Sequence, residues 1–210
     1  MKTKIRFLDC GGNIGQTIDW ALTSLEEYDI KLDCFEANPG LIGIIEQKVK
    51  FIDEDITIHG VGVDTENSAK NFYLQSWGAR TGSSLIKGKE STDDNDFVEI
   101  QTINLCDWIT ENCNFEEEFV IVKLDVEGSE YKIVESMIDS QLYKNIGALL
   151  VEWTPDVKFI RNKEMTESSD HRRGIVESAS SKFDIVLDWH NPDECIDPLK
   201  ETVSNNVKKT

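Results

Sequence analysis

The sequence predicts an α/β fold built on a doubly wound, mostly parallel sheet with helices on both faces. Short apolar runs alternate with helix-compatible segments from residue 5 to residue 152, which is the pattern of repeated β-α-β units. Several of these runs end in a carboxylate, so acidic side chains should collect at one edge of the sheet. Two strand-like segments, 70–74 and 98–103, interrupt the alternation and predict an antiparallel β insertion around residues 66–104.

The first β-α-β unit contains a glycine-rich turn suited to a nucleotide ligand. An apolar run at 5–8 ends in Asp9; the turn, a helical segment and a second apolar run ending in Glu36 follow. Glycines let a ligand approach the backbone closely because they carry no Cβ atom. The order D-x-G-G-N-x-G lacks the G-x-G-x-x-G spacing of dinucleotide-binding proteins. The candidate contacts in this turn are Gly11, Gly12, Asn13 and Gly15.

Two acidic residues favour S-adenosylmethionine (SAM) as the ligand. Asp9 places a negative charge where a dinucleotide would bring its phosphates, whereas the methionine end of SAM carries an amino group. Glu36 ends the second predicted strand, where a carboxylate can accept hydrogen bonds from both ribose hydroxyls. Asp9 and Glu36 are therefore predicted to bind the cofactor.

Three segments together resemble the FkbM-type class I SAM-dependent methyltransferases. They read FLDCGGNIGQT at 7–17, CFEANP at 34–39 and IVKLDVEGSEYKIVESM at 121–137. The family typically has D-x-G-A-N-x-G, then an F-E-P-like turn, then K-x-D-V-E-G-x-E. This chain has Gly12 where alanine is usual, and Ala37 and Asn38 stand before Pro39; neither departure removes a functional group.

The resemblance extends through Glu152 and implies a Rossmann-like sheet of the class I methyltransferase type with SAM as its cofactor. It implies that Val61 and Gly62 lie beside the adenine, and Ala37 joins the predicted cofactor site next to Glu36. It also implies methyl transfer to a hydroxyl of a small molecule or glycan. A sugar, with a deoxyhexose such as rhamnose first, is the expected acceptor.

Two of the strand-ending carboxylates have no role in holding the cofactor and need another explanation. Asp125 and Glu152 end neighbouring predicted strands, and burying like charges together is costly unless something offsets them. One explanation is a divalent metal such as Mg²⁺ or Mn²⁺, which would bind the acceptor hydroxyl and lower its pKa. Some sugar and catechol O-methyltransferases of this fold place metal ligands at these strand ends, so the explanation rests on analogy.

The second explanation is a metal-free base that takes the proton of the acceptor hydroxyl. The candidates are Asp125, Glu127 and His190. Lys123 lies two residues before Asp125, on the same side of its strand, and has two readings. It pairs with the carboxylates, which we favour because a buried cation needs a partner, or it is a structural lysine that reaches solvent. The sequence therefore offers Asp125, Lys123, Glu127 and His190 as catalytic candidates.

A long polar stretch between the two strands of the insertion includes WGARTGSSL at 77–85. Long loops inside compact domains are usually functional or disordered, so this segment is either a substrate loop or a loose surface excursion. Three tryptophans, Trp77, Trp153 and Trp189, fall near the predicted strand ends and could stack on a sugar. Tryptophans are equally common in protein cores, so they carry little weight.

Composition limits the class of protein. The formal net charge of −18 disfavours nucleic acid, because binding a phosphate backbone depends on Lys and Arg, and it suits a neutral hydroxyl compound. No apolar stretch approaches membrane-spanning length, which predicts no membrane association. The five cysteines are scattered, which predicts a reducing compartment and a cytoplasmic location. We expect one domain over residues 1–201 and a frayed tail over 202–210.

The combined patterns predict a SAM-dependent O-methyltransferase that modifies a sugar or glycan. One alternative is a non-catalytic module that binds SAM or a nucleoside and regulates a partner; it would not need acids at Asp125 and Glu152. A second is an NAD-dependent oxidoreductase, which the missing dinucleotide spacing disfavours. The sequence predicts no oligomeric state.

Overall fold

The computed structural model describes residues 2–78 and 81–207 and has the predicted α/β fold, a mostly parallel sheet flanked by helices. The strands are β1 (Lys4–Cys10), β2 (Asp29–Phe35), β3 (Asp55–His59), β4 (Gly62–Asp64), β5 (Ser68–Gln75), β6 (Thr92–Asn104), β7 (Glu118–Leu124), β8 (Ala148–Val151) and β9 (Val186–Asp188). The helices are α1 (Gln16–Ser24), α2 (Pro39–Val49), α3 (Leu105–Asn112), α4 (Glu130–Asp139), α5 (Lys163–Glu167), α6 (Ser169–Lys182) and α7 (Pro192–Val207). Short 3₁₀ turns cover Leu142–Asn145 and Asp156–Phe159.

Six strands form the main sheet in the order β3-β2-β1-β7-β8-β9, and every neighbouring pair is parallel. Strands β2 and β3 are added on one side of β1, and strands β8 and β9 are added on the far side of β7. The direction in which successive strands are added therefore reverses between β1 and β7. Ligands of such sheets bind at the carboxyl ends of the strands beside this reversal. Asp9 of β1 and Lys123 of β7 stand opposite each other there.

Alternate side chains of the central strands face two separate apolar layers, as expected for a sheet covered on both sides. Ile5 and Phe7 pack in the layer formed by α1, α2 and α7, whereas Leu8 and Cys10 pack in the layer with α3, α4 and α6. Asp9 lies on the same face of β1 as Ile5 and Phe7, because every second residue of a strand shares a face. It therefore points into the first layer rather than out of the sheet edge.

The predicted insertion is a second, three-stranded sheet in the order β4-β6-β5. Strands β5 and β6 pair antiparallel, with Lys70 opposite Ile100, which confirms the predicted pairing. Strand β4 continues from β3 by sequence but leaves the main sheet and pairs with β6. Asp64 at its end is buried and accepts hydrogen bonds from Lys70 and binds Lys132 of α4, both at 2.7 Å. These ion pairs fix the insertion to the main domain.

The C-terminal segment is more ordered than the sequence predicts. The frayed tail expected from residue 202 is wrong for 202–207, because α7 continues to Val207 and buries Leu199 and Val203 completely. Residues 208–210 lie outside the described part of the chain. Among the described helices, none combines the length and apolar character needed to cross a lipid bilayer.

Candidate functional site

A cleft of about 300 Å³ opens at the carboxyl ends of β1, β2 and β7, below the insertion. The strand ends contribute the polar part of its lining. The insertion contributes the facing wall through Phe72, Gln75 and the segment 81–85. Predicted site residues that line it are Gly11, Asn13, Glu36, Ala37, Val61, Gly62, Asp125, Glu127 and Glu152. The cleft therefore brings together most of the residues selected from sequence.

The glycine turn is shaped by close approach to two neighbouring strand ends. Gly11 has φ +91°, and a Cβ atom there would lie 1.9 Å from the carbonyl oxygen of Asp125. The amides of Gly11 and Gly12 both donate to the carbonyl of Phe35 at 3.0 Å. Gly12 sits against the thiol of Cys34, and Gly15, with φ +80°, begins α1. Gly12 and Gly15 therefore shape the turn without lining the cleft, and only Gly11 does both.

Glu36 is the best-defined polar group of the cleft. One carboxylate oxygen accepts the amide of Asn13 at 2.7 Å, and the other accepts the amide of Asn38 at 2.6 Å. Burial raises the pKa of Glu36 to about 7, although both backbone hydrogen bonds act to lower it. Each oxygen keeps a second acceptor site, since an ionised carboxylate offers about four lone-pair positions. The geometry thus matches a group that accepts two hydroxyls.

Asp9 does not reach the cleft, which corrects its assignment as a direct cofactor contact. Its side chain is fully buried, and its Oδ1 lies 3.1 Å from the ammonium group of Lys123. The same ammonium donates to the carbonyl of Gly11 at 2.8 Å and lies 3.5 Å from Oδ2 of Asp125. Burial alone would lower the pKa of Lys123, but the charges of Asp9 and Asp125 raise it above its ordinary value. Asp9 therefore acts on the site through Lys123.

The pairing predicted for Lys123 is thus present, and the reading as a lysine that reaches solvent is wrong. Its side chain is only 1% exposed, so it cannot place its charge in water. The lysine does not line the main cleft but does line an adjoining groove of about 360 Å³, whose walls include Thr17, Trp20 and Trp189. Gly11, Asn13 and Asp125 line both spaces. The groove and the cleft therefore meet at the glycine turn.

The carboxylates of Asp125, Glu127 and Glu152 form the second half of the cleft. Two of them have a close cationic partner: Lys123 beside Asp125, and Lys89 at 2.6 Å from Glu127. Glu152 differs, because its partner among the described residues is the imidazole of His190, at 3.6 Å, rather than a lysine. Burial, and then the charge of Asp125, raise the pKa of Glu152 above its ordinary value.

The turn after β7 has an unusual backbone that a buried acid stabilises. Glu127 has φ 59° and Gly128 has φ 120°, values that a non-glycine residue rarely adopts. The buried carboxylate of Glu130 accepts the amides of Val126 at 3.0 Å and Gly128 at 2.9 Å. Burial raises the pKa of Glu130 to about 7. Glu130 therefore has the structural role that its position at the start of α4 indicates, and it holds Glu127 at the cleft.

His190, a predicted candidate for the base, is not among the residues that line the cleft but lies next to Glu152, which does line it. Its Nδ1 lies 2.7 Å from Oδ1 of Asp188, and its Nε2 faces Glu152. The hydrogen bond with Asp188 and the charge of Glu152 raise the pKa of His190. His190 is therefore linked to the cleft through Glu152.

The predicted substrate loop lies against the cleft. Residues 79 and 80 of the segment 77–85 fall outside the described part of the chain, and Trp77 is 60% exposed. Ser83 and Ser84 are buried, and Ser84 bridges to Tyr73 through its backbone. The reading as a loose excursion therefore fails for residues 81–85. Trp153 packs on Tyr131 at a ring separation of 5.0 Å and does not line the cleft, so stacking on a sugar there is not supported.

Sequence reasoning did not identify Lys89, which is 2% exposed and contacts Glu127. The local sequence, IKGKE, resembles a solvated lysine-rich turn, and its partner lies 38 positions away. No local pattern distinguishes such a lysine from an exposed one.

The predicted metal ligands, Asp125 and Glu152, line the same cleft. Within residues 2–78 and 81–207, however, His, Cys, Asp and Glu side chains form no group of three or more that could hold a metal ion. Each of the two carboxylates also faces a basic side chain, Lys123 or His190. The donor set does not fit a metal centre made by the described residues alone.

Comparison with known proteins identifies the family. The profile of the methyltransferase FkbM domain matches residues 9–187. This chain belongs to the FkbM methyltransferase family. Its FkbM-type motifs are the same three segments that line or support the cleft. A search of curated proteins returned no significant match.

A solved structure of an FkbM methyltransferase from Methylobacillus flagellatus KT is also similar to this chain. The two chains are 14% identical, and the superposition has a TM-score of 0.43. The matched region covers 70% of this chain and 32% of that protein, so this chain corresponds to about a third of its length.

Proposed function

We propose that this FkbM-family protein is a SAM-dependent O-methyltransferase whose acceptor is a hydroxyl of a sugar or glycan. The observation that carries the proposal is Glu36: a buried carboxylate, fixed by two backbone amides, that lines the cleft beside a glycine turn. A nucleoside ligand offers the two ribose hydroxyls that such a group accepts. Family membership supports SAM as that nucleoside.

The residues present fit the cofactor along the whole cleft. Ala37, Val61 and Gly62 provide a small, mainly apolar surface for the adenine next to Glu36. Gly11 has no Cβ atom, so the backbone of the turn stays open to the rest of the ligand. The methionine end would then lie towards Asn13 and the adjoining groove, where Lys123 and Asp125 provide charges of both signs.

SAM would supply a methyl group already activated on a sulfonium, so the chain's main task is to align the acceptor hydroxyl with it. The segment 81–85 and Phe72 of the insertion cover the cleft opposite the strand ends. In this proposal they would restrict water around the acceptor, while Asp125, Glu127 and Glu152 line the wall that it would face. Alignment and exclusion of water are therefore the expected sources of rate enhancement.

Glu152 is the best candidate for the group that takes the acceptor proton. The carboxylates of Asp125 and Glu127 each lie beside a buried ammonium group, that of Lys123 and that of Lys89. Glu152 has no lysine partner of this kind among the described residues, and burial, followed by the charge of Asp125, raises its pKa, which suits a proton acceptor. His190, linked to Asp188, could pass that proton from Glu152 to solvent.

The charges of the cleft favour a neutral acceptor. Among the described lining residues, the charged side chains are all carboxylates, namely Glu36, Asp125, Glu127 and Glu152. Phosphorylated or carboxylated acceptors would meet repulsion there, whereas the hydroxyls of a neutral sugar can donate hydrogen bonds. Rhamnose glycosides are the first acceptors to test. Assistance by a divalent metal is the weaker alternative, because Asp125 and Glu152, its predicted ligands, each have a basic neighbour.

The proposal is tested first by calorimetry with SAM and NAD separately, and then by transfer of label from methyl-labelled SAM to a panel of sugars. We expect SAM to bind, NAD not to bind, and label to appear on a neutral sugar. Binding of NAD alone would reject the proposal, and SAM binding without transfer to any hydroxyl compound would favour the non-catalytic module. Full transfer in excess chelator would remove the metal alternative.

A further inference from the structure

We propose that Lys89 is a positioning residue for the acceptor half of the cleft, which is the part lined by Asp125, Glu127 and Glu152. Its ammonium group holds the insertion loop 81–92 against Glu127. The role as a positioning residue rests on the proposed function, but the contact itself does not. Lys89 does not line the cleft, so it would act through Glu127 and the loop rather than by touching a substrate.

The first observation is the burial of the lysine. Lys89 is almost completely buried, and burial lowers its pKa although Glu127 acts to raise it. A charged ammonium in such a place is stable only if its hydrogen bonds are made. It contacts Oε2 of Glu127 at 2.6 Å and the carbonyl of Gly82 at 2.7 Å. One side chain therefore joins the strand-end turn to the start of the loop.

The second observation is that the loop binds both the backbone carbonyl and the side-chain carboxylate of Glu127. The hydroxyl of Ser84 donates to the backbone carbonyl of Glu127 at 2.6 Å, while Lys89 holds the carboxylate. Glu127 has a positive φ, a backbone conformation that is unfavourable for a non-glycine residue. Such a backbone persists only where its surroundings fix it. The loop therefore helps to set the conformation of the acceptor-side wall.

The third observation is a support behind the lysine. Arg161 donates to the carbonyls of Lys89 and Thr92, and the amide of Glu90 donates to the carbonyl of Lys158 at 2.7 Å. Gly88, with φ +81°, packs against the backbone of Arg161 and turns the chain into Lys89. Three segments, 81–92, 125–128 and 155–162, thus meet at one buried charge.

Lys158 provides a matched control. It also faces Oε2 of Glu127, at 3.7 Å, but 37% of its side chain is exposed. An exposed ion pair contributes little to stability, whereas leaving one partner of a buried pair alone is much more costly. Removing either lysine deletes the same charge near the same carboxylate. Only removal of Lys89 should free the loop.

The test is hydrogen exchange, read by mass spectrometry on the full chain without ligand, with SAM affinity measured on the same samples. In Lys89→Met, exchange over 81–92 and 125–128 should become about tenfold faster or more, because local opening costs less free energy. Glu127→Gln should do the same, and the double variant should add nothing further. Lys89→Arg, which keeps the charge, should restore part of the protection, and Lys158→Met should change little.

The SAM affinity should stay within about threefold in Lys89→Met, since Lys89 is not among the residues that line the cleft with Glu36, Ala37, Val61 and Gly62. Unchanged exchange in Lys89→Met, or equal effects of Lys89→Met and Lys158→Met, would overturn the inference. So would full protection in Glu127→Gln, which would assign Lys89 a packing role only. If Lys89→Met fails to fold, Glu127→Gln alone decides. Failure of the wild type to bind SAM would instead reject the proposed function and leave the exchange result readable.

Discussion

The two halves of the cleft are held together by different forces. In the half around Gly11 and Glu36, the proposed cofactor half, the contacts are made by the backbone. Two backbone amides bind the carboxylate oxygens of Glu36, and the carbonyl of Asp125 approaches Gly11 closely. In the acceptor half, three carboxylates face the cleft, and side chains such as Lys89 and Lys123 hold two of them. Backbone contacts tolerate many side-chain changes, whereas a charge pair fails when one partner is lost. The acceptor half should therefore be the easier half to reshape.

The largest effect is expected from Gly11→Ala, which attacks the backbone of the cofactor half. The new Cβ atom would lie 1.9 Å from the carbonyl of Asp125, and φ +91° is unfavourable for alanine. We expect a loss of at least about 2 kcal/mol in the free energy of unfolding, and loss of SAM binding. Urea unfolding and calorimetry measure these two quantities. Gly174 lies in helix α6, and a Cβ atom added there would meet no atom within 4 Å outside the backbone of its own helix. Gly174→Ala should therefore raise the free energy of unfolding by about 0.5–1 kcal/mol.

The next effect in size separates binding from catalysis. Glu152→Gln should lower kcat by about a hundredfold, because the variant cannot accept the acceptor proton. The affinity for SAM should be unchanged, since Glu36 and the glycine turn remain intact. Steady-state kinetics with a sugar acceptor and calorimetry with SAM make the comparison. A weakened SAM affinity with normal kcat would show that Glu152 belongs to the cofactor half.

A smaller, opposite pattern is expected for Glu36→Gln. The NH₂ group of glutamine would face one of the two backbone N–H groups, and two donors cannot form a hydrogen bond. One hydrogen bond is therefore lost, and the side chain accepts the ribose hydroxyls less well. SAM affinity should fall by about 10- to 100-fold, while kcat at saturating SAM should change much less. An unaltered affinity would place the ribose away from Glu36.

Sequence alone selected lining residues in both halves of the cleft, but it missed the contacts that support the acceptor half, and the distances along the chain explain why. Glu36 accepts the amide of Asn38, two residues away, and lies next to a turn with a recognisable spacing. The acceptor half depends on the insertion, where Lys89 meets Glu127 across 38 positions and Arg161 meets Lys89 across 72. Such pairs follow from the topology and have no local pattern.

The same limit explains why two side chains do not line the cleft as expected. Asp9 stands at a strand end, as predicted, but the parity of β1 turns it into the core, where Lys123 neutralises it. His190 follows β9 as predicted, but its ring faces Asp188 and Glu152 from outside the cleft. In both cases the element was correct, and the direction of one side chain decided the role.

The pH dependence of nucleoside binding provides the finest test of the cofactor half. Burial raises the pKa of Glu36 from 4.5 to about 7, so the carboxyl is partly protonated near neutral pH. Only the ionised form accepts two ribose hydroxyls. The affinity for adenosine, which has no group that titrates near neutral pH, should therefore increase as pH rises through 7 and then level off. Below the pKa, the loss should approach about tenfold per pH unit.

Glu36→Gln decides whether this pH dependence comes from Glu36. The variant has no carboxyl at this position, so its weaker affinity for adenosine should be nearly constant over the same range. A ligand that favours the ionised form must also release protons on binding to the wild type, which calorimetry in buffers of different ionisation enthalpy can count. Proton release by the wild type and none by the variant would place the ribose on this carboxylate. An equal pH dependence of adenosine affinity in the wild type and in Glu36→Gln would assign the titration to another group. Glu130, whose pKa burial also raises to about 7, would be the next residue to replace.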